Sequence, residues 1–146
     1  MQSFFWYLLN SKATYAKVLE EVDTAYENAG EAPLLEWADA QKLDLFQAAL
    51  KESMRLRPGV GVDISRLVPP GGAEIDGARY PGGVVAAFNA WVLHRDEAIF
   101  GPDVEAYRPE RWLDKEKAKN MDRFMFQVSH CKSSRVLDSI DGYYWY

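Results

Sequence analysis

Two charged motifs in the sequence have residue types and a spacing that could form a buried ion cluster. Glu52 and Arg55 lie three positions apart, so on a helix their side chains would be neighbours on one face. Arg111 belongs to a later segment that reads Tyr-Arg-Pro-Glu-Arg-Trp. One carboxylate can accept hydrogen bonds from two guanidinium groups, and burial of such a triad requires that every hydrogen bond is made. The alternative for Glu52 and Arg55 is an exposed helical pair, which contributes only about 0.3–0.5 kcal/mol.

The sequence contains one cysteine, Cys131, between His130 and Lys132. A single cysteine cannot form an intramolecular disulfide, which suits a reducing compartment. A lone thiolate could also serve as a metal ligand. The residues around Cys131 show no period, so we favour an ordinary free thiol over a ligand.

The composition indicates a globular chain of one domain. Of 146 residues, 48% are hydrophobic and 27% are charged, which separates the chain from disordered proteins. The net charge of −5 makes nucleic acid an unlikely partner, because an acidic chain gains little from phosphate attraction. The apolar run Phe4–Leu9 is too short to cross a bilayer and resembles the interior of a buried helix.

The first half of the chain is predicted to be helical. Apolar residues from Tyr15 to Tyr26 recur at helical spacing, and Gly30 is a stop signal. A second helix is predicted from near Asp44 to Arg57, ended by the Pro-Gly pair that follows. Its apolar stripe consists of four residues: Leu43, Phe46, Leu50 and Met54.

After the second helix the period changes to that of short strands. Strands are predicted at 64–68, 73–75, 78–80 and 84–88, with Asp76-Gly77 as a tight hairpin turn. We expect a short helix at 89–94, a loop-like segment at 95–112 and a polar stretch at 113–120.

Five segments occur in an order and at spacings that are informative together: Leu50–Pro58, Arg66–Gly72, Trp91–Asp96, Phe100–Asp103 and Tyr107–Trp112. This series resembles the C-terminal third of cytochrome P450 monooxygenases. It is most similar to the filamentous-fungal members related to pisatin demethylase and benzoate hydroxylase, enzymes of fungal secondary metabolism. The resemblance covers about residues 4–127.

The resemblance implies structural roles for the charged motifs. Glu52 and Arg55 match the invariant pair of the family's K helix, and Arg111 matches the third member of its triad. The family uses this triad to hold the core behind the haem, so we predict no catalytic residue among the three. We expect the three side chains to meet where the later loop packs on the helix.

The resemblance also implies roles for two residues outside the triad. Arg66 matches the arginine that reaches a haem propionate in many members, although a surface charge at a strand end is the alternative. His94 matches a common position in a His-Arg-Asp turn. We predict that His94 makes a structural hydrogen bond to nearby backbone and does not ligate a metal.

The haem loop of the family has no counterpart at the place where it is expected. That loop reads Phe, two residues, Gly, any, Arg, any, Cys, any, Gly, and it should begin close to Phe126. The chain has no glycine between Gly101 and Gly142, and Arg135 follows Cys131 instead of preceding it by two positions. Glycines let the backbone approach the porphyrin and direct N–H groups at the thiolate sulfur. We therefore predict that Cys131 does not bind iron and that haem, the cofactor of the family, is not bound.

The expected fold is mixed α/β and mainly α, a fragment of the cytochrome P450 fold. The fragment would hold the end of the I helix, the J and K helices, a small antiparallel sheet and an ordered loop. We expect residues 1–127 to form a partial P450 domain and residues 128–146 to be a disordered tail unrelated to the family.

The family's activity is haem-thiolate monooxygenation, with electrons from an NADPH-dependent reductase and commonly at the endoplasmic reticulum membrane. No membrane anchor is visible in this chain, and we expect it to be inactive. Three alternatives stay open: an active enzyme that uses Cys131 and a partner chain, a non-catalytic interaction fragment, and a mispredicted or pseudogene product.

Overall fold

The structure is a computed structural model that describes residues 2–30, 34–75 and 77–125. Seven α-helices and one 3-10 helix lie in this part of the chain: α1 (Gln2–Asn10), α2 (Lys12–Ala29), α3 (Trp37–Ala40), α4 (Asp44–Leu56), α5 (Ala90–Leu93), α6 (Glu97–Phe100), the 3-10 helix Pro109–Trp112 and α7 (Lys115–Asp122). The predicted turn residue Asp76, the single cysteine Cys131 and the predicted tail 128–146 lie outside the described residues.

Two antiparallel ribbons separate α4 from the later helices, one nested inside the other. The strands are β1 (Asp63–Leu67), β2 (Ala73–Ile75), β3 (Ala78–Tyr80) and β4 (Val85–Asn89). β1 pairs with β4 and β2 with β3. In the outer ribbon the register joins Asp63 to Asn89 and Leu67 to Val85. The mixed α/β class, mainly helical with a small antiparallel part, is thus confirmed.

Several local predictions hold, and one stretch was misjudged. The second predicted helix is α4, and its last helical residue is Leu56. The segment 95–112, predicted as loop-like, contains α6 and the 3-10 helix, while the polar stretch at 113–120 is largely α7. Side-chain caps begin both α-helices: Asp96 accepts from the amide of Ala98, and Asp114 accepts from two amides of α7.

Helix α4 lies at the centre because small residues let other elements approach it on two sides. Ala48 belongs to a buried cluster with side chains from α6, the 3-10 helix and α7, among them Phe100 and Trp112. Ala49 belongs to a second cluster with residues of α1 and α2, including Phe4 and Leu8. An alanine on each side lets the two layers pack closely on one helix.

The apolar stripe predicted for α4 is only partly covered. Leu43 is buried, whereas Phe46, Leu50 and Met54 are half-buried. The most deeply buried positions of the helix instead include charged residues, Glu52 and Arg55. In the described part of the chain, no helix combines the length and the apolarity needed to cross a membrane.

Candidate functional site: a buried charge cluster

The carboxylate of Glu52, on α4, accepts five hydrogen bonds at a position with no solvent exposure. Its Oε1 accepts from Arg55 Nη2 at 2.8 Å, Arg111 Nε at 2.9 Å and the backbone amide of Arg108 at 3.1 Å. Its Oε2 accepts from Arg55 Nε at 3.0 Å and the indole nitrogen of Trp112 at 2.8 Å. The structure therefore brings together the three predicted triad residues and adds two further donors.

Arg55 uses its remaining donors to hold the chain that follows α5. Its Nη1 donates to the carbonyls of His94 at 2.9 Å and Val104 at 2.7 Å. Its Nη2 also lies 3.3 Å from the carbonyl of Ala106. A guanidinium presents five N–H donors in a rigid fork, so this arrangement satisfies the buried cation while it fixes three loop carbonyls in place.

Arg111 continues the same pattern from the 3-10 helix. It donates to the carbonyls of Phe100 and Asp103, and its Nη1 lies 3.1 Å from Asp103 Oδ1. Asp103 also pairs with Arg108 at 2.8 Å. Desolvation raises the pKa of Asp103, but the Arg111 charge and hydrogen bond and the Arg108 charge outweigh it and leave that pKa below its usual value. Asp103 thus supplies a second negative charge for the second buried cation.

The cluster is closed to further chemistry. Among the described residues, every buried side-chain nitrogen and oxygen has a hydrogen-bond partner. A carboxylate with five donors has no lone pair left for a substrate or a transferred proton. The arrangement can hold a loop on a helix, and it offers no group that could react.

Trp112, Asp103 and the amide of Arg108 were absent from the predicted site. Each lies in a motif that the sequence singled out, the Gly-Pro-Asp or the Pro-Glu-Arg-Trp segment. Two of these bonds join positions that are 56 and 60 residues apart, and the third depends on how the loop before Arg111 folds back, so no local pattern predicts them.

Glu21 of α2 fixes the first turn of α4 and was also missed. The residue at the start of α4, Leu43, has no polar side chain to cap the helix. The carboxylate of Glu21 instead accepts from the amides of Leu45 at 2.9 Å and Phe46 at 2.8 Å. A negative charge at a helix N-terminus satisfies free N–H groups and opposes the positive end of the helix dipole. α2 thereby sets the position of the helix that carries Glu52.

His94 makes the predicted backbone hydrogen bond. Its side chain is fully buried, and Nδ1 lies 3.2 Å from the carbonyl oxygen of Arg55. Desolvation lowers the pKa of His94, and the charges of Arg55 and Arg95 act in the same direction, against backbone hydrogen bonds to Arg55 and Phe124 that raise it. The net shift is downward, so the ring is neutral at pH 7 and serves as a structural link.

Arg66 lies apart from the cluster, and its side chain is exposed on β1. Its Nη1 donates to the carbonyl of Ser65 at 2.9 Å, and none of the bonds to Glu52 involves it. An exposed guanidinium on a strand suits a carboxylate such as a propionate. Its role at a haem stays a prediction.

The described residues do not provide a complete haem site. Residues 2–30, 34–75 and 77–125 contain no cysteine. No group of three or more His, Cys, Asp or Glu residues in those ranges could hold a metal ion. Arg66 is the residue in these ranges that the family resemblance links to a propionate, and the thiolate ligand of a haem would have to come from outside them.

One family model and several known proteins match most of the sequence of this chain. A family model described as Cytochrome P450 matches residues 1–126. A cytochrome P450 monooxygenase of Emericella nidulans, cicH, is 35% identical over 122 residues, which are 83% of this chain and 24% of the relative. Pisatin demethylase of Fusarium vanettenii is 38% identical over 114 residues, 78% of this chain and 22% of the relative.

A third relative matches a similar share of this chain. A cytochrome P450 monooxygenase of Penicillium aethiopicum, gsfF, is 35% identical over 123 residues, 84% of this chain and 24% of the relative. The chain therefore spans about a quarter of the length of the curated relatives that it matches.

Proposed function

The chain belongs to the cytochrome P450 family, and we propose that its described residues form the structural scaffold of such an enzyme. The observation that carries the proposal is the carboxylate of Glu52, buried with five donors. These bonds join α4 to the segment 108–112, which both antiparallel ribbons, α5 and α6 separate from it along the chain. Glu52, Arg55 and Arg111 are the structural triad in this proposal, and none of them is catalytic.

The parent activity is haem-thiolate monooxygenation. When bound, haem would supply the activation of dioxygen, so that one oxygen atom enters an organic substrate and the other is reduced to water with electrons from an NADPH-dependent reductase. In a complete site, we assign to Arg66 the contact with a haem propionate, because it matches the propionate arginine of the family and its side chain is exposed on β1. The described residues would contribute rigidity and that one contact.

We further propose that this chain does not itself form a haem-thiolate centre. Cys131 lacks the flanking glycines and the preceding arginine of the family loop. Glycines have no Cβ, so a loop without them would put side chains where the backbone must approach the porphyrin and the sulfur. The chain would then lack monooxygenase activity.

The test is the reduced carbon monoxide spectrum of the purified chain after addition of hemin. We expect no thiolate-type Soret band, and we expect wild type and Cys131→Ser to give the same spectrum. A red-shifted thiolate-type band in wild type that vanishes in Cys131→Ser would overturn the proposal and support an active centre. Hemin that binds through another group would give a band that the serine variant retains.

A second candidate is a non-catalytic interaction fragment, and the surface of α1 favours it. Phe5, Trp6 and Leu9 are 55–61% exposed and lie on the side of α1 that faces away from α4. Exposed apolar clusters of this kind mark interaction surfaces. Capture of a full-length P450 by the wild-type chain, lost when Trp6 and Leu9 are changed to serine, would support this function. Equal capture by both would exclude that surface.

A further inference from the structure

Trp112 lies where four helical elements meet around Glu52. Its ring is nearly buried and belongs to the same apolar cluster as Phe100 and Met121. The Nζ atom of Lys51, the residue before Glu52, lies 5.5 Å from the centroid of the Trp112 ring. The indole N–H points to Glu52 Oε2, and the two atoms are 2.8 Å apart. One side chain thus contacts α4 with a polar atom and the later helices with its apolar surface.

The donors on Glu52 are divided unequally between the two oxygens. Oε1 accepts three hydrogen bonds, from Arg55, Arg111 and the amide of Arg108. Oε2 accepts two, from Arg55 and Trp112. Without the indole donor, Oε2 would keep a single partner in a site that water does not reach. The carboxylate could then rotate towards its guanidinium partners, because only Trp112 holds Oε2 from the side of the 3-10 helix.

The 3-10 helix is fastened to Glu52 near both of its ends. The amide of Arg108 precedes this helix and Trp112 is its last residue, and both donate to the same carboxylate. α7 begins three residues after Trp112, and its Asp122 pairs with Lys51 at 2.8 Å. The direction in which the chain leaves the 3-10 helix therefore depends on the contact at Trp112.

We propose that the indole N–H of Trp112 positions the Glu52 carboxylate. It is the fourth side-chain N–H that donates to Glu52, after two of Arg55 and one of Arg111. The ring without its N–H cannot do the same. Trp112 is a positioning residue that acts through Glu52. The proposal deepens the scaffold role proposed above and does not depend on haem. A phenylalanine would fill most of the space and leave Oε2 short of a donor. The alternative is that Trp112 contributes only apolar volume.

The two explanations separate when the N–H is removed and the ring is kept. Benzothienylalanine, a tryptophan isostere with sulfur in place of the N–H, can be inserted at position 112 by stop-codon suppression in the full chain. The same isostere at Trp37, which is 74% exposed, is the matched control. Because an unpartnered buried acceptor is costly, we expect the isostere at 112 to raise the unfolding equilibrium constant about tenfold or more. At 37 we expect less than about a twofold change.

Each result of this comparison decides between the two explanations. An isostere at 112 that is as stable as wild type would overturn the proposal, because only the donor has been lost. An isostere at 112 that fails to fold while the isostere at 37 folds would support it.

A second measurement needs no isostere. In nitrogen-15 NMR spectra of the wild-type chain, the indole N–H resonance of Trp112 is identified by its loss in Trp112→Phe. We expect it to exchange with solvent at least about a hundredfold more slowly than that of Trp37, because its acceptor is buried and charged. Exchange of both at the same rate would overturn the proposal. The scaffold role on which this proposal rests is tested separately by Glu52→Ala, since Glu52 can join α4 to the later segment through its arginines even if the indole N–H contributes nothing.

Discussion

Among the carboxylates that form ion pairs in the described part of the chain, Glu52 is the one whose replacement by alanine should destabilise the fold most. The change leaves two buried guanidinium groups, an indole N–H and a backbone amide without their shared acceptor. Removal of one partner from a buried ion pair costs about 3–5 kcal/mol, since the remaining charge stays uncompensated. Asp103 still neutralises part of the Arg111 charge, so we expect a value within that range.

The measurement is the free energy of unfolding from urea titration, followed by far-UV circular dichroism. Asp39→Ala is the matched control, because it also removes a carboxylate from an ion pair three residues apart, between Asp39 on α3 and Lys42 just after it at 2.7 Å. That pair is 47–74% exposed, and exposed pairs contribute about 0–1 kcal/mol. Glu52→Gln keeps the side-chain volume, so it separates the loss of charge from the cavity that alanine leaves.

The reasoning would be refuted if Glu52→Ala and Asp39→Ala lowered the free energy of unfolding by the same amount. If Glu52→Ala does not fold, Glu52→Gln takes its place in the comparison. We expect that variant to lie between wild type and alanine, since one amide oxygen cannot replace two charged acceptor atoms.

Three further predictions concern the elements around the cluster. Glu21→Gln should lower the free energy of unfolding by about 1–2 kcal/mol, because one amide oxygen replaces the two carboxylate oxygens that cap α4. Glu20→Gln on the same helix should change it little. Equal urea midpoints for the two variants would contradict this. Gly82→Ala should lower the free energy of unfolding by about 1–3 kcal/mol, since the added Cβ would lie 2.5 Å from the backbone oxygen of Pro69. Gly71→Ala is the control, because nothing lies within 4 Å of a Cβ added there. Equal changes in melting temperature for the two variants would contradict this. The pKa of His94 is lowered in the fold, so the unfolded chain binds the proton more readily and the free energy of unfolding falls as the pH drops below about 6.5. In His94→Gln this part of the pH dependence should vanish. An unchanged slope of unfolding free energy against pH would disprove it.

Features that depend on local sequence were predictable. α4 follows from its apolar spacing and its Pro-Gly stop, and the paired strands follow from short runs bounded by glycine and proline. Glu52 and Arg55 were placed on one helical face by spacing alone, and family resemblance supplied Arg111 as their partner. α6 and α7 were missed although Asp96 and Asp114 are typical helix caps, because short polar helices have little apolar period.

Features that depend on distant contacts were not predictable. The carboxylate of Glu21 caps a helix 24–25 residues further along, in place of a local capping residue. Trp112 donates across 60 residues to Glu52. A single sequence does not show which exposed-looking carboxylate or indole will face a buried partner, since that depends on how the helices pack.

The measurement that tests the central claim most directly is solvent exchange of the arginine side-chain Nε–H groups, followed by nitrogen-15 NMR of the wild-type chain. The claim is that one buried carboxylate fastens the later segment to α4 through Arg55 and Arg111. We expect both Nε–H groups to exchange far more slowly than that of Arg95, whose acceptor Glu105 is 73% exposed. Exchange of all three at the same rate would contradict the account, because the cluster would then be open to water.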